Sequence, residues 1–300
     1  MFSRIGLFLL TNLAVLILAG VVMSLLGVNP AQLSGLLVMA ALFGFGGSLI
    51  SLLMSKFMAK HATGAVVITQ PRNPTERWLL DTVARLARDA GIGQPEVAVY
   101  DAPEINAFAT GANRNNALVA VSTGLLHSMG QDEAEAVLGH EITHVANGDM
   151  VTMALLQGVL NTFVIVLARV AGGIIDNALS GNRGNGRGFA YYIIVMLLQT
   201  VLGFLATMIA MWFSRRREFR ADAGGAHLAG RQKMIAALER LKLNQGQNTL
   251  PTQMAAFGIA GSSVSKLFMS PRRWKNASPR CAPRRQPERD LPRLPRRTAL

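Results

Sequence analysis

The sequence predicts a mainly helical α+β protein that is integral to a membrane. Half of its 300 residues are hydrophobic and only 16% are charged, against about 25% in ordinary soluble domains. The most apolar residues are gathered in four long stretches, two before and two after a segment of mixed helical and strand patterns. This order predicts two apolar hairpins around a soluble part with a small sheet.

Two apolar stretches near the N-terminus form the first predicted hairpin. Ile5–Val28 and Leu36–Met54 each approach or exceed the roughly 20 apolar residues that cross a bilayer core. Arg4 precedes the first stretch, and Lys56 and Lys60 follow the second. Because basic residues accumulate at the cytoplasmic ends of membrane helices, this pattern places both outer ends of the hairpin in the cytoplasm.

The soluble part alternates between strand and helix signals. Short β-rich runs predict strands at Ala65–Thr69, Glu96–Tyr100 and Ala117–Val121. Apolar residues at helical spacing predict helices over Pro74–Ala90 and, after the second hairpin, over 231–243. We therefore expect a small sheet that packs beside helices.

The second predicted hairpin is less uniformly apolar than the first. Met150–Ile175 contains Gln157 and Asn161, and Phe189–Phe213 contains Gln199. Polar groups within a membrane are costly unless they are paired, so we expect these three side chains to face one another or the protein interior. The alternative is a pair of long helices buried inside the soluble part.

The sequence His140-Glu141-Ile142-Thr143-His144 carries the chemistry. Two histidines four residues apart lie on one face of a helix, about 6 Å apart along its axis, so both imidazoles can bind one ion. Glu141 points to the adjacent side, where it can take a proton from an attacking water. The pattern is the zinc metalloprotease signature, in which three protein ligands hold the metal.

Local signals predict the ends of this helix. Ser128 and Gln131 have the spacing of a capping box at its start, and Asn147-Gly148 ends it. The alternative to a metal site is a solvated helix with two incidental histidines. That alternative is disfavoured because the chain has five histidines and two of them fall in this motif.

A second group of polar residues follows the last apolar stretch. Arg215–Arg217 predict a cytoplasmic end for that stretch. Glu218 and Asp222 are four residues apart, so they share a helical face. In a zinc site of two histidines and a glutamate, one carboxylate is needed as the third ligand. A further carboxylate holds a ligand imidazole by its free N–H. Glu218 suits the first role and Asp222 the second; the alternative is a solvated acidic pair that balances the arginines.

The distribution of charge argues against nucleic acid as a partner. The net charge is +13 and the pI about 11.1, but residues 271–300 hold nine Arg and one Lys against one Glu and one Asp, a net +8. No basic stripe with interleaved aromatic residues occurs elsewhere. The only cysteine, Cys281, also lies in this tail, which excludes a disulfide framework and a thiolate metal site.

Taken together, these motifs resemble the HtpX family of membrane-bound zinc metalloproteases, relatives of the type 1 CAAX prenyl protease. The resemblance covers residues 1 to about 270 and rests also on Asn106–Gly111 and 217–222. It implies a zincin-like catalytic domain in the cytoplasm, one Zn²⁺ per chain at His140, His144 and Glu218, and Glu141 as the catalytic base of a metalloendopeptidase.

The same resemblance implies a multi-pass protein of the bacterial inner membrane, with both termini in the cytoplasm, that cleaves misfolded or damaged membrane proteins in quality control and stress response. An extended peptide is expected to add a strand to a sheet edge, near Ala107–Thr110 or Ala117–Val121. The candidate residues for that contact are Asn106, Ala107, Phe108 and Ala109. His127 is a candidate donor to the oxyanion, although a histidine after two leucines is more often structural. A zinc-binding membrane scaffold without proteolytic activity is the alternative function.

Residues 271–300 depart from the family pattern, and we interpret them as an out-of-frame segment. At this point the family continues with His-Pro-Pro-Leu-Glu-Glu-Arg-Ile-Ala-Ala-Leu, whereas this chain has the different sequence of residues 271–281. Loss of one nucleotide from a GC-rich coding sequence for the family segment yields all eleven residues found here. Such an Arg/Pro-rich segment is expected to be disordered; the alternative is a basic tail for anionic lipid headgroups. The predicted organisation is therefore a hairpin (1–60), a first catalytic part (61–149), a second hairpin (150–213), a second catalytic part (214–270) and this tail.

Overall fold

The computed structural model describes residues 30–180 and 189–243. These residues form a mainly helical structure with one small sheet and two long apolar helices, which confirms the predicted fold class. The predicted span Ile5–Val28, the loop between the last two apolar stretches and the Arg/Pro-rich tail lie outside the described residues. The segment boundaries stay predictions.

The second predicted span is helical along its whole length but changes direction at its end. It consists of α1 (Pro30–Ala41), a π-helical turn (Leu42–Gly46) and α2 (Gly47–Leu53), followed by α3 (Ser55–Thr63). The helix bends by 61° between Leu53 and Ser55. A Cβ on Gly44 would lie 2.7 Å from the backbone nitrogen of Thr162, so the backbones can meet here only because this residue is glycine.

The sheet has four strands in the order β1-β2-β4-β3. They are β1 (Val66–Val67), β2 (Glu96–Tyr100), β3 (Ala107–Asn113) and β4 (Asn116–Ser122). Strands β2 and β4 are parallel, and the outer pairs are antiparallel. The strands predicted at 96–100 and 117–121 are confirmed, whereas the first strand is shorter than predicted. The segment after Asn106, predicted only to lie near a sheet edge, is itself an edge strand, and a tight turn at 113–116 pairs it with β4.

Helices cover both faces of the sheet. On one face lie α4 (Pro74–Asp89), the metal-motif helix α6 (Gln131–Asn147) and α9 (Arg231–Leu243). They share a core whose larger members include Leu79, Leu86, Val119, Leu138, Ile142 and Met234. The other face packs on α3, where Ala59 contacts a cluster that includes Phe108 and Leu118. The helices predicted over 74–90 and 231–243 are confirmed.

Two long helices carry the second apolar hairpin. Helix α7 (Asp149–Ser180) and helix α8 (Phe189–Leu228) are long and apolar enough to cross a membrane. Only 22% and 11% of their most apolar windows are buried, so the alternative of two helices buried in the soluble part is wrong. Gln157 donates to Asn161 at 3.0 Å, as expected, whereas Gln199 is partly exposed on α8.

Candidate metal centre

The helix that carries the histidine motif begins later than the sequence predicts. It begins at Gln131, and the Glu133 carboxylate accepts a hydrogen bond from the N–H of Gly130 at 3.0 Å. The predicted cap at Ser128 is wrong, because Ser128 ends the short helix α5 (Thr123–Ser128) and its carbonyl accepts from Arg240. The predicted end is confirmed, with Gly148 in the left-handed conformation at φ 64°.

Helices α6 and α8 cross at very short distance because α8 carries glycines at the contact. A Cβ on Gly225 would lie 2.9 Å from the backbone nitrogen of His140, and one on Gly224 would collide with Thr143. Asp222 and Glu218 lie about one and two turns before these glycines on α8. The crossing therefore brings both carboxylates to the histidines, although 218 and 144 are far apart in the sequence.

Three donor atoms converge at this crossing. His140 Nε2 lies 3.1 Å from His144 Nε2 and 3.4 Å from Glu218 Oε2, and His144 Nε2 lies 3.6 Å from Glu218 Oε1. Four ligands around zinc, with bonds of about 2.0–2.2 Å, place their donor atoms about 3.3–3.6 Å apart. The three side chains therefore have the spacing and the chemistry of one tetrahedral metal site with a free fourth position.

The second nitrogen of each imidazole faces a carboxylate. Asp222 Oδ1 lies 3.0 Å from His140 Nδ1, and Asp149 Oδ2 lies 2.7 Å from His144 Nδ1. Such partners orient an imidazole and fix which nitrogen is free for a metal. This role of Asp149, whose carboxylate lies on the Nδ1 side of the ring, was not predicted from the sequence. The signal was present in Gly148, whose left-handed turn brings the next residue back onto α6.

The site strongly favours positive charge. Burial opposes a charge on His140, but the neighbouring carboxylates of Asp222 and Glu218 outweigh it and raise the pKa of His140 to about 10. A metal ion and the imidazole protons compete for such a site, since the ligand form of histidine is neutral. The electrostatics thus suit a divalent cation as well as the geometry does.

Glu141 lies between the histidines and strand β3. It is 1% exposed, accepts a hydrogen bond from the backbone N–H of Ala109, and leaves Oε2 without a partner among the described residues. Burial raises the pKa of this carboxyl group, against the opposing effect of the two histidines. A raised pKa makes the carboxylate a better base at neutral pH.

The structure separates the remaining candidates. Asn106, Ala107, Phe108 and Ala109 are fully buried at the start of the edge strand β3. The alternative sheet edge at 117–121 is wrong, because β4 lies between β2 and β3. His127 is exposed on α5 and does not belong to the metal cluster. A small pocket of about 10 Å³, room for about one water molecule, adjoins His144; its lining includes Thr110, Gly111, Ala117, Val145 and Val151.

One buried residue of the site was not anticipated. Arg217 is 3% exposed, and its Nη2 lies 3.2 Å from Glu218 Oε1. The sequence suggests a solvated basic cluster at 215–217, yet this arginine points inward. No sequence signal singles out Arg217, because adjacent side chains on a helix diverge by about 100° and Arg215, three residues before Glu218, has the better spacing for the Glu218 face.

Comparisons with known proteins agree with this geometry. The sequence model of Peptidase family M48 matches residues 73–270. The chain is 81% identical over 271 residues to "Protease HtpX" of Stenotrophomonas maltophilia strain K279a, and 80% identical over 273 residues to "Protease HtpX" of Xanthomonas oryzae pv. oryzae strain MAFF 311018. Each match covers 90% of this chain and 94% of the relative.

A solved structure shares the fold. The chain resembles the crystal structure of S. mikatae Ste24p with a TM-score of 0.56 at 19% sequence identity. The match covers 89% of this chain but only 64% of Ste24p. At this identity the likeness concerns the arrangement of helices and sheet alone.

Proposed function

Because the chain belongs to peptidase family M48, among its HtpX proteases, we propose that it is a zinc endopeptidase that cleaves misfolded or damaged membrane proteins. Family membership makes it a membrane metalloprotease. The single zinc ion, the substrate class and a cytoplasmic active site at the bacterial inner membrane are the proposed parts. The observation that carries the proposal is the convergence of His140, His144 and Glu218 beside the buried Glu141.

Each residue of the cluster has a distinct task in peptide hydrolysis. Zinc bound by His140, His144 and Glu218 would polarise the scissile carbonyl and lower the pKa of water to about 7. Glu141 removes a proton from the attacking water and delivers it to the leaving amine. Asp222 and Asp149 hold the two imidazoles with their Nε2 atoms toward the centre.

The edge strand β3 is the proposed binding site for the peptide. An extended substrate can add a strand to a sheet edge through main-chain hydrogen bonds. The backbone N–H of Ala109 donates to Glu141, so the buried start of this strand lies against the proposed base. Main-chain pairing reads few substrate side chains, which suits a protease of broad specificity.

The surroundings of the second hairpin support a cytoplasmic active site. Arg215 and Arg216 follow the apolar part of α8, as Lys56 and Lys60 follow α2. The Arg216 guanidinium lies 4.2 Å from the ring centre of Trp212. Tryptophan and basic residues are typical of the membrane–water boundary, and the basic ones of its cytoplasmic side. Glu218 follows within one turn, so the metal centre lies next to that boundary.

Purified full-length protein tests the proposal. The chain is prepared in detergent with chelator, Zn²⁺ is restored, and bound zinc and casein cleavage are measured together. We expect one zinc per chain and cleavage that appears only with zinc. The S. maltophilia relative, purified in parallel, controls for the assay. One bound zinc without cleavage, under conditions in which the relative cleaves casein, would support the non-catalytic scaffold instead.

A further inference from the structure

An exposed apolar face continues from α2 onto α3, around the 61° bend. Ile50 and Leu53 before the bend are 58% and 66% exposed, and Phe57 and Met58 after it are 64% and 50% exposed. Ile50, Leu53 and Phe57 follow one another at steps of three and four residues, as on one side of a helix, and Met58 adjoins Phe57. The lipid-facing surface of α2 therefore has an unbroken continuation on α3.

The opposite face of α3 is fixed to the sheet. Ala59 is fully buried against Phe108 and its neighbours. Lys56 and Lys60 both point to this side, where they pair with Glu96 of β2 at 2.6 and 2.5 Å. The two positive charges of α3 are thereby turned toward the sheet, where the Glu96 carboxylate balances one of them. Its outer side presents apolar side chains and His61, which stacks on Phe57.

This distribution of side chains distinguishes α3 from a helix that would continue the membrane span beyond α2. A helix in the hydrocarbon core would carry two lysines and an attached sheet into lipid, which is costly. A helix surrounded by water would expose Phe57 and Met58 together with Met54 at the bend, which is 43% exposed. A contiguous exposed apolar patch of this kind marks an interaction surface.

We propose that α3 lies in the boundary between lipid headgroups and acyl chains and docks the catalytic half on the membrane surface. Helices of this type bury their apolar side about 5–10 Å into the boundary. Lipid is the occupant because the patch formed by Met54, Phe57 and Met58 continues the lipid-facing surface of α2. Since α3 packs directly on the sheet, it sets the distance between strand β3 and the bilayer. This proposal does not depend on zinc or on catalysis.

Depth-dependent fluorescence quenching tests the position of α3. Single cysteines are introduced in a Cys281→Ser background as Phe57→Cys, Met58→Cys and His61→Cys, all exposed on α3, and labelled with bimane. The full chain is placed in phosphatidylethanolamine/phosphatidylglycerol vesicles that contain lipids brominated near the glycerol or near the chain end. Asp81→Cys, exposed on α4, is the water-facing control, and Ile50→Cys is the control within the span.

We expect the labels at 57, 58 and 61 to lose emission mainly with bromine near the glycerol, and the label at 81 to lose none. Quenching at 57 and 58 no stronger than at 81 would place α3 in water and overturn the proposal. Quenching mainly by bromine at the chain end, as expected at 50, would make α3 part of the span and overturn it as well. Emission that changes with protein density but not with bromine would indicate a second copy of the chain instead of lipid. Because Phe57 contacts His61, the label at 58 decides the matter if the variants at 57 and 61 fail to fold.

Discussion

The two halves of the molecule place polar and apolar side chains in opposite ways. Around the metal cluster, Leu138 and Ile142 are fully buried, and the functional groups of His140 and Glu141 lie among them. Along α8, Leu197 and Phe204 are each 58% exposed. The difference teaches that one half buries its apolar side chains away from water, whereas the other exposes them to lipid, where apolar exposure costs nothing.

Both halves nevertheless use glycine to bring helices together. Gly225 lets α8 reach His140, and Gly44 lets the first hairpin reach Thr162 of α7. In the bundle, the Thr162 hydroxyl lies 2.9 Å from the Gly158 carbonyl of its own helix and 3.3 Å from the Ala40 carbonyl of α1, so backbone carbonyls satisfy it without a charged partner. At the metal cluster the close crossing gathers charged groups, which must be matched by one another or by a cation.

The largest expected effect comes from replacing Glu141, the buried carboxylate of the catalytic half. Glu141→Gln should lower kcat by about 10²–10⁴-fold, because an amide cannot accept the proton of the attacking water. Zinc content should stay at the level of the unmodified chain, since Glu141 is not among the three converging donors. Casein cleavage and metal analysis measure the two quantities. Glu239→Gln, exposed on α9, is the control; equal activity of the two variants would remove Glu141 from catalysis.

A smaller effect is expected from the carboxylates behind the histidines. Asp222→Asn and Asp149→Asn should each weaken zinc binding by about 10–100-fold, because they lose the charge that holds an imidazole in its ligand orientation. Competition with a zinc chelator gives the affinities. Asp81→Asn, on an exposed face of α4, should leave them unchanged. An affinity for Asp149→Asn as high as that control would assign Asp149 a structural role only.

The helix crossing can be broken without touching a polar group. Gly225→Ala would place a Cβ 2.9 Å from the His140 backbone, and overpacking of this kind costs about 1–3 kcal/mol. We expect a lower thermal unfolding temperature and weaker zinc binding. Gly203→Ala, on the same helix, is the matched control. A Cβ at that position would have no described atom within 4 Å outside the local helix backbone. If both variants bind zinc equally well, the crossing does not set the position of Glu218.

The smallest effect concerns the ion pairs between α3 and the sheet. Hydrogen bonds from Lys56 and Lys60 lower the pKa of Glu96. A depressed carboxyl pKa stabilises the fold above the unfolded-state value, and this contribution disappears as the pH falls through the folded-state value. Because the Glu96 side chain is 39% exposed, we expect Glu96→Gln to cost about 0–1 kcal/mol near pH 7.

Unfolding followed at neutral and acidic pH measures this contribution. The difference between the unmodified chain and Glu96→Gln should shrink as the carboxylate of the former becomes protonated. Glu76→Gln, near the start of α4, serves as an acidic-residue control for general effects of pH. A difference that grows toward acidic pH would contradict the assigned ion pairs.

Local pattern alone determined much of this protein. The spacing of His140 and His144 places both on one helical face, and the apolar periods of α4 and α9 determine those helices nearly to their ends. The long apolar stretches likewise determine α7 and α8. Each of these features depends on residues within a few turns of one another, so neighbouring residues suffice to specify it.

Only the tertiary structure decided how these pieces meet. The segment after Asn106 became an edge strand because β4 inserts between it and β2. Asp149 came to support His144, and Arg217 came to face Glu218, through the turn at Gly148 and the rotation of α8. The approach of Glu218 to the histidines depends on a crossing of helices distant in sequence, which glycine permits but only packing of the whole domain selects.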